Sequence, residues 1–167
     1  MSEVDKTSEQ KKQPKRKAKK PSRSQLRSAA RSFALQAVYQ WQMNHTPVNE
    51  IETQFSVDND LGTCDKAYFR ELLHGVTGKA KAMDDLFEEL LDRSLAELDP
   101  IELATLRIGS YELAERLDVP YRVAINEAVE LAKSFGASES HKYVNGILDK
   151  LAQRVRREEI AARRANK

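Results

Sequence analysis

Residues 99–136 read DPIELATLRIGSYELAERLDVPYRVAINEAVELAKSFG, and their spacing decides the fold. Asp99 precedes Pro100, and Glu102 stands at the third helical position. Aspartate accepts from free N–H groups, proline tolerates a first turn, and glutamate three residues on can reach back, so the stretch opens like a capping box. Ile101, Leu103, Leu106, Ile108, Tyr111, Leu113 and Leu117 then follow at helical intervals. Pro120 opens a second helix whose apolar residues are Val123, Ile125, Ala128, Val129, Leu131, Ala132 and Phe135. Gly136 stands where a helix commonly ends.

The same period continues outward in both directions. Downstream, Ser138 is a candidate cap for a helix carrying Tyr143, Val144, Ile147, Leu148, Leu151 and Val155, with a tail expected to fray after Arg156. Upstream, a helix from about Ser24 to Met43 places Leu26, Ala30, Phe33, Ala37 and Trp41 in one stripe, and Asn44 and Pro47 stop it. Shorter helices are expected over about 48–55, 66–77 and 79–92. Only six glycines occur, and no strand-like alternation is sustained, so the chain reads as all-α with about seven helices.

Charge is segregated along the 167 residues although the total is only +2. Residues 1–31 hold eleven basic and three acidic side chains, residues 32–153 hold eleven and 21, and residues 154–167 hold six and two. A basic arm on an acidic body suits a chain that meets nucleic acid or another polyanion. The first 22 residues contain too little apolar surface to offset the entropy of ordering, so 1–22 are expected to be a disordered basic arm. A helical domain is expected over 23–158 and a frayed basic tail over 159–167.

Several function classes are excluded or disfavoured. No run of 18 apolar residues exists, and the basic N-terminus lacks the apolar region of a secretory signal. The single Cys64 excludes an internal disulfide, so a cytoplasmic protein is expected. His45, His74 and His141 lie far apart, with no phosphate-cradling glycine loop and no hydrolase or zinc-protease motif, so neither catalysis nor a cofactor or metal is expected. The pairs Asp84/Asp85 and Glu88/Glu89 read as a solvated helix face.

Three constellations remain. Arg23, Arg27 and Arg31 recur every fourth residue beside the first apolar stripe, a line suited to a row of phosphates through bidentate contacts. Leu35 and Tyr39 lie more than about 140° from the centre of the Phe33/Trp41 stripe at 100° per residue, which makes them a candidate protein-binding patch. Lys142 and Tyr143 stand at the start of the last helix, where free N–H groups, a cation and an aromatic ring meet.

Residues 118–136 (DVPYRVAINEAVELAKSFG) and 140–150 (SHKYVNGILDK) resemble the signature of the NusB family of bacterial transcription antitermination factors. Residues 31–41 (RSFALQAVYQW), 68–73 (YFRELL) and Gly75-Val76 agree, so the resemblance covers about residues 24–155. It implies a non-enzymatic fold of two small packed helical bundles. It also implies binding to the boxA element of nascent ribosomal RNA together with NusE, a small-subunit ribosomal protein, in a complex that keeps RNA polymerase elongating.

By position, the resemblance puts Arg27 and Arg31 on the family's arginine-rich RNA-binding start, with Arg23 extending it. Tyr39 falls at a junction with NusE and RNA, and Tyr143, beside Lys142, falls near RNA. Glu139 replaces an aspartate expected before the last helix, and Glu102 and Arg107 lie on the helix expected to face NusE. Similar domains also precede RNA cytosine methyltransferases, but this chain stops before a cofactor-binding domain. A protein-only scaffold is the other alternative, and the Leu35/Tyr39 face leaves homodimerisation of the free protein open.

Overall fold

Eight α-helices follow one another among residues 20–166, the part of the chain that this computed structural model describes. They are α1 (Arg23–Asn44), α2 (Val48–Asp58), α3 (Lys66–Gly78), α4 (Ala80–Phe87), α5 (Pro100–Glu115), α6 (Tyr121–Phe135), α7 (Ser140–Val155) and α8 (Arg157–Ala165). No strand occurs among the described residues. The arm expected over 1–22 lies outside them except for its last three residues.

Each helix begins and ends for local reasons. Ser22 caps α1 by accepting from the Gln25 N–H, and the Gln25 side chain accepts from the Ser22 N–H, a complete capping box. The α1 C-terminus turns through His45 in the left-handed region at φ 55°, with its N–H bonded to the Trp41 carbonyl. Asp99 caps α5 by accepting from the N–H groups of Ile101 and Glu102. The reciprocal bond from Glu102 is absent, so the expected box is half formed: the Glu102 side chain is buried instead of folded back.

Several boundaries depart from the sequence reading. The segment expected as one helix over 79–92 is α4 followed by a 3-10 turn at Glu88–Leu90. Leu117 falls beyond the end of α5 and is exposed. Glu139, not Ser138, precedes α7, and no side chain caps that end. Gly136 ends α6 at φ −94°, so handedness does not require glycine there. Close approach favours it, because a Cβ would lie 2.8 Å from the Ala132 carbonyl oxygen.

The tail does not fray after Arg156. Arg157–Ala165 form α8, because the buried Arg156 guanidinium ties its start to the rest of the fold. Arg156 donates to the carbonyls of Leu113 (2.7 Å), Glu112 (3.0 Å) and Arg116 (2.9 Å) at the end of α5, of which the Glu112 and Arg116 carbonyls also accept from the N–H groups of Arg116 and Val119. It also donates to Glu159, whose other oxygen accepts from the Tyr121 N–H at 3.0 Å. That carboxylate thereby serves the N-terminus of α6, where Pro120 provides no side-chain cap.

Two apolar cores give the two bundles. The first gathers Ala34, Val38, Ile51, Phe69, Leu72 and Val76 from α1, α2 and α3. The second gathers Phe87, Leu98, Ala124, Ala128, Val144 and Leu148 from α4, α6, α7 and the segment before α5. Helix α5 belongs to both, sending Ala104 and Ile108 into the first and Leu106 and Leu113 into the second. It is therefore buried nearly all round, as expected of a helix without a polar face.

The stripe expected on α1 is displaced. The deeply buried residues are Ala30, Arg31, Ala34, Leu35, Ala37 and Val38, a face rotated by about 80° from the Leu26/Phe33/Trp41 line at 100° per residue. Small alanines let α3 and α5 approach closely, and the larger Phe33 and Trp41 sit half-buried at the flank. Leu35 is consequently fully buried core, contrary to the expectation of an exposed patch.

Candidate nucleic-acid interface

The arginine line on α1 runs from solvent into the protein. Arg23 is exposed, Arg27 keeps 20% of its side chain accessible, and Arg31 keeps 3%. Arg31 donates through Nε (2.7 Å) and Nη2 (2.8 Å) to Glu112, itself 1% exposed, and lies 3.6 Å from Glu127. Arg31 is thus an internal ion-pair residue and does not face a phosphate, which corrects the sequence reading. On the helix wheel it falls between Ala34 and Leu35, within about 20° of Val38, on the buried face.

Tyr68 on α3 organises the surroundings. Its hydroxyl donates to Glu112 at 2.5 Å, and its ring lies under three guanidiniums: Arg27 at 4.5 Å, Arg116 at 4.9 Å and Arg31 at 5.3 Å. Burial and the adjacent Glu112 charge push the phenol well above its ordinary value, so it stays protonated and donates. Arg116 makes a bidentate pair with Asp118 at 2.9 and 3.0 Å and also bonds Glu71. Those bonds, above all, hold the Asp118 carboxyl down at about 2.

Arg27 is held loosely. Asp65 and Asp118 each come no closer than 3.8 Å, and its Nε lacks a hydrogen-bond partner among the described residues. Arg27 and Arg23 border a groove of about 210 Å³ walled by Val119, Pro120 and Val123. These two residues are the cations that the fold presents at the start of α1.

Lys142 and Tyr143 belong to the second bundle, on a helix packed against α4, α5, α6 and α8. Lys142 is exposed and pairs with the equally exposed Glu139 at 3.0 Å. The Tyr143 hydroxyl donates to Asp92 at 2.9 Å, and the Arg93 guanidinium covers the ring at 4.5 Å. Burial, then that hydrogen bond, raise the Tyr143 phenol above its ordinary value.

The other half of α1 carries an apolar groove of about 840 Å³. Buried Leu35 helps form its lining, and the exposed Tyr39 (36%), Met43 (50%) and Phe135 (37%) border it. Ile101 lines the groove, whereas the neighbouring Glu102 is buried at 8% and outside it. Arg107 is not a free docking cation: it donates to both Asp84 oxygens at 2.8 Å and to Gln42 at 3.0 Å. Asp84 is buried by that pair, which corrects its reading as part of a solvated face, whereas Asp85 is exposed.

Sequence reasoning missed Phe135 and Met43 as groove residues, and Glu112 and Glu127 as the partners of Arg31. Glu112 did carry a signal. It is a carboxylate between Tyr111 and Leu113 on a helix with apolar residues on every side, where a buried charge requires a partner.

The fold and these surfaces define a two-bundle helical binding protein with cations at one end of α1 and an apolar groove at the other. Among the described residues, no cluster of three or more histidine, cysteine or acidic side chains could hold a metal, and no helix is long and apolar enough to cross a membrane. The chain belongs to the NusB family, whose model matches residues 28–153. A transcription antitermination protein NusB from Marinomonas sp. (strain MWYL1) is 77% identical over 170 residues, covering 100% of this chain and 98% of that protein. The NusB of Pseudomonas entomophila (strain L48) is 55% identical over 150 residues, covering 90% of this chain and 89% of that protein.

Among solved structures, T. maritima NusB superposes with a TM-score of 0.67 at 32% identity, over 76% of this chain and 90% of that one. A chain in a crystal structure of the antitermination factors NusB and NusE with double-stranded RNA shares the fold, with a TM-score of 0.65 at 22% identity. That match covers 77% of this chain and 96% of the other.

Proposed function

We infer that this chain is a transcription antitermination factor that binds the boxA element of nascent ribosomal RNA together with NusE. It thereby supports processive elongation by RNA polymerase. One observation carries the reading: α1 presents accessible Arg23 and Arg27 at its start and the Tyr39/Met43 side of an apolar groove near its end. One helix thus offers a phosphate-binding end and a protein-binding end.

Each surface has a physical role. Arg23 and Arg27 supply phosphate affinity, and Lys142 and Tyr143 supply a further cation and a ring for a base once Arg93 is displaced. Tyr39 and Phe135 anchor NusE over Leu35, with Glu139 and Glu102 at the periphery. The buried Arg31 and Arg107 act indirectly, by fixing α1 against α3, α4 and α5. Without NusE, the same groove supports pairing of two copies. The factor works by binding, without a catalytic step, in the cytoplasm, where RNA polymerase acts.

The test is binding to a boxA RNA and a scrambled control, each with and without NusE. The expected result is preference for boxA that sharpens when NusE is added, and an RNA affinity that falls steeply with salt. Equal binding to both RNAs in the presence of NusE overturns the reading.

A further inference from the structure

The α8 segment lies past residue 153, outside the span of the family model, yet it is built into the fold. Arg156 and Glu159 clasp its first turn onto the end of α5 and the start of α6, and Ile160 packs against the second core. The helix therefore projects its far end in a fixed direction.

That far end faces a groove of about 540 Å³ shared with α6 and α7. Arg163 and Arg164 line one side and Arg122, in the first turn of α6, another. All three are exposed, and none pairs with a carboxylate within 4.0 Å among the described residues. The groove also contains the amides of Asn126 and Asn145, with Asp149 as its one carboxylate. Three guanidiniums, amide donors and a mostly polar wall suit a phosphodiester chain more than an apolar ligand.

Position adds a second argument. The first turn of α6 forms a ridge between two grooves. Pro120 and Val123 face the one that Arg23 and Arg27 border, and Tyr121 and Arg122 face the one that Arg163 and Arg164 border. A polyanion leaving the start of α1 meets Arg122 on crossing the ridge and the α8 arginines beyond it.

We propose that α8, with Arg122, forms a second phosphate-binding lip that extends the RNA track of α1 by holding single-stranded RNA adjoining the specifically bound element. The proposal rests on the RNA-binding reading above. It gives α8 a role that the family-matched part of the chain cannot supply, and it adds affinity without base discrimination, because guanidiniums on phosphate carry no sequence information.

The experiment compares the full chain with R163Q/R164Q and with R23Q/R27Q. The probes are a short boxA RNA and the same RNA extended by single-stranded sequence on either side. On the extended RNA, the R163Q/R164Q plot of log affinity against log salt is expected to be shallower by about 1.4, two single-strand phosphate contacts. On the short RNA this variant matches the parent, and its circular dichroism melt is unchanged because neither side chain bonds within the fold. A parent-like slope on the extended RNA, alongside weakened binding by R23Q/R27Q, overturns the lip and leaves the RNA reading standing. An unmodified chain that binds neither RNA overturns both. A loss by R163Q/R164Q that is equal on both RNAs also overturns the extension.

Discussion

Arg27 and Arg31 are one helical turn apart and have different physical roles. Arg31 and Glu112 are both almost completely buried, so removing one leaves the other charge without its partner. Arg31→Ala is expected to lower unfolding stability by about 3–5 kcal/mol in a urea titration, whereas replacing both partners with apolar residues of similar volume restores much of that loss. Arg27→Ala forfeits long ion pairs and one cation–π contact, about 1 kcal/mol, while reducing RNA affinity and its salt slope. Equal stability losses in the two variants would contradict this division.

Tyr39 offers a complementary case. It is 36% exposed over a groove, so Tyr39→Asp is expected to leave the melting midpoint nearly unchanged. NusE binding should fall at least about tenfold, 1.4 kcal/mol, because a carboxylate would be desolvated without a partner. A folded variant with parental NusE affinity places the partner elsewhere. Asp118 tests the surface network by titration. Its folded carboxyl sits at about 2, below the ordinary value of about 3.9, so its contribution is present above pH 4 and is lost as pH falls through about 2. The melting difference between the parent and Asp118→Asn should shrink over that window, and a difference constant from pH 6 to 2 would exclude the Arg116 pairing as its source.

At the scale of the element, α8 depends on two side chains more than on its own propensity. It has nine residues and no wholly buried one, too short to be stable alone in water. Glu159→Ala removes the acceptor for the Tyr121 N–H and one arm of the Arg156 clasp. Amide hydrogen exchange should accelerate throughout α8 and at Tyr121, while α3 stays protected. Protection of α8 retained in this variant would show that the contact of Ile160 with the core suffices. Helix α5 is the opposite case. With apolar residues on every side and Arg107 and Glu112 paired internally, it is sandwiched between two cores, and Gly109 allows Leu148 to approach to where a Cβ would meet it at 2.6 Å.

At the scale of the whole molecule, α1 connects the surfaces. It packs against α2, α3, α5 and α6, so the arginine end and the apolar groove are held by the same contacts. The expected consequence is that changes to the buried Arg31–Glu112–Tyr68 cluster affect RNA and NusE binding together, whereas changes at exposed Arg23 or Tyr39 affect one each. Paired affinity measurements on Arg31→Ala and Tyr39→Asp distinguish these outcomes.

The sequence by itself determined the all-helical class, the positions of seven helices and the family. Spacing at 3.6 residues, Pro100, Pro120 and the 118–136 signature are local properties of the chain. It also located α1 as the helix bearing both arginines and Tyr39. Only the tertiary structure decided which of these side chains face outward. Leu35 and Arg31 lie inside because neighbouring helices cover α1 on more than one side, and a wheel centred on Phe33 and Trp41 assumes a single covered face. Asp84 and Arg107, 23 residues apart, neutralise each other only once α4 lies on α5. The α8 segment reads as a frayed basic tail until the fold supplies three carbonyls at the end of α5 to Arg156 and an α6 N–H to Glu159. Periodicity records the faces of one helix, whereas burial and charge pairing depend on which other helices arrive.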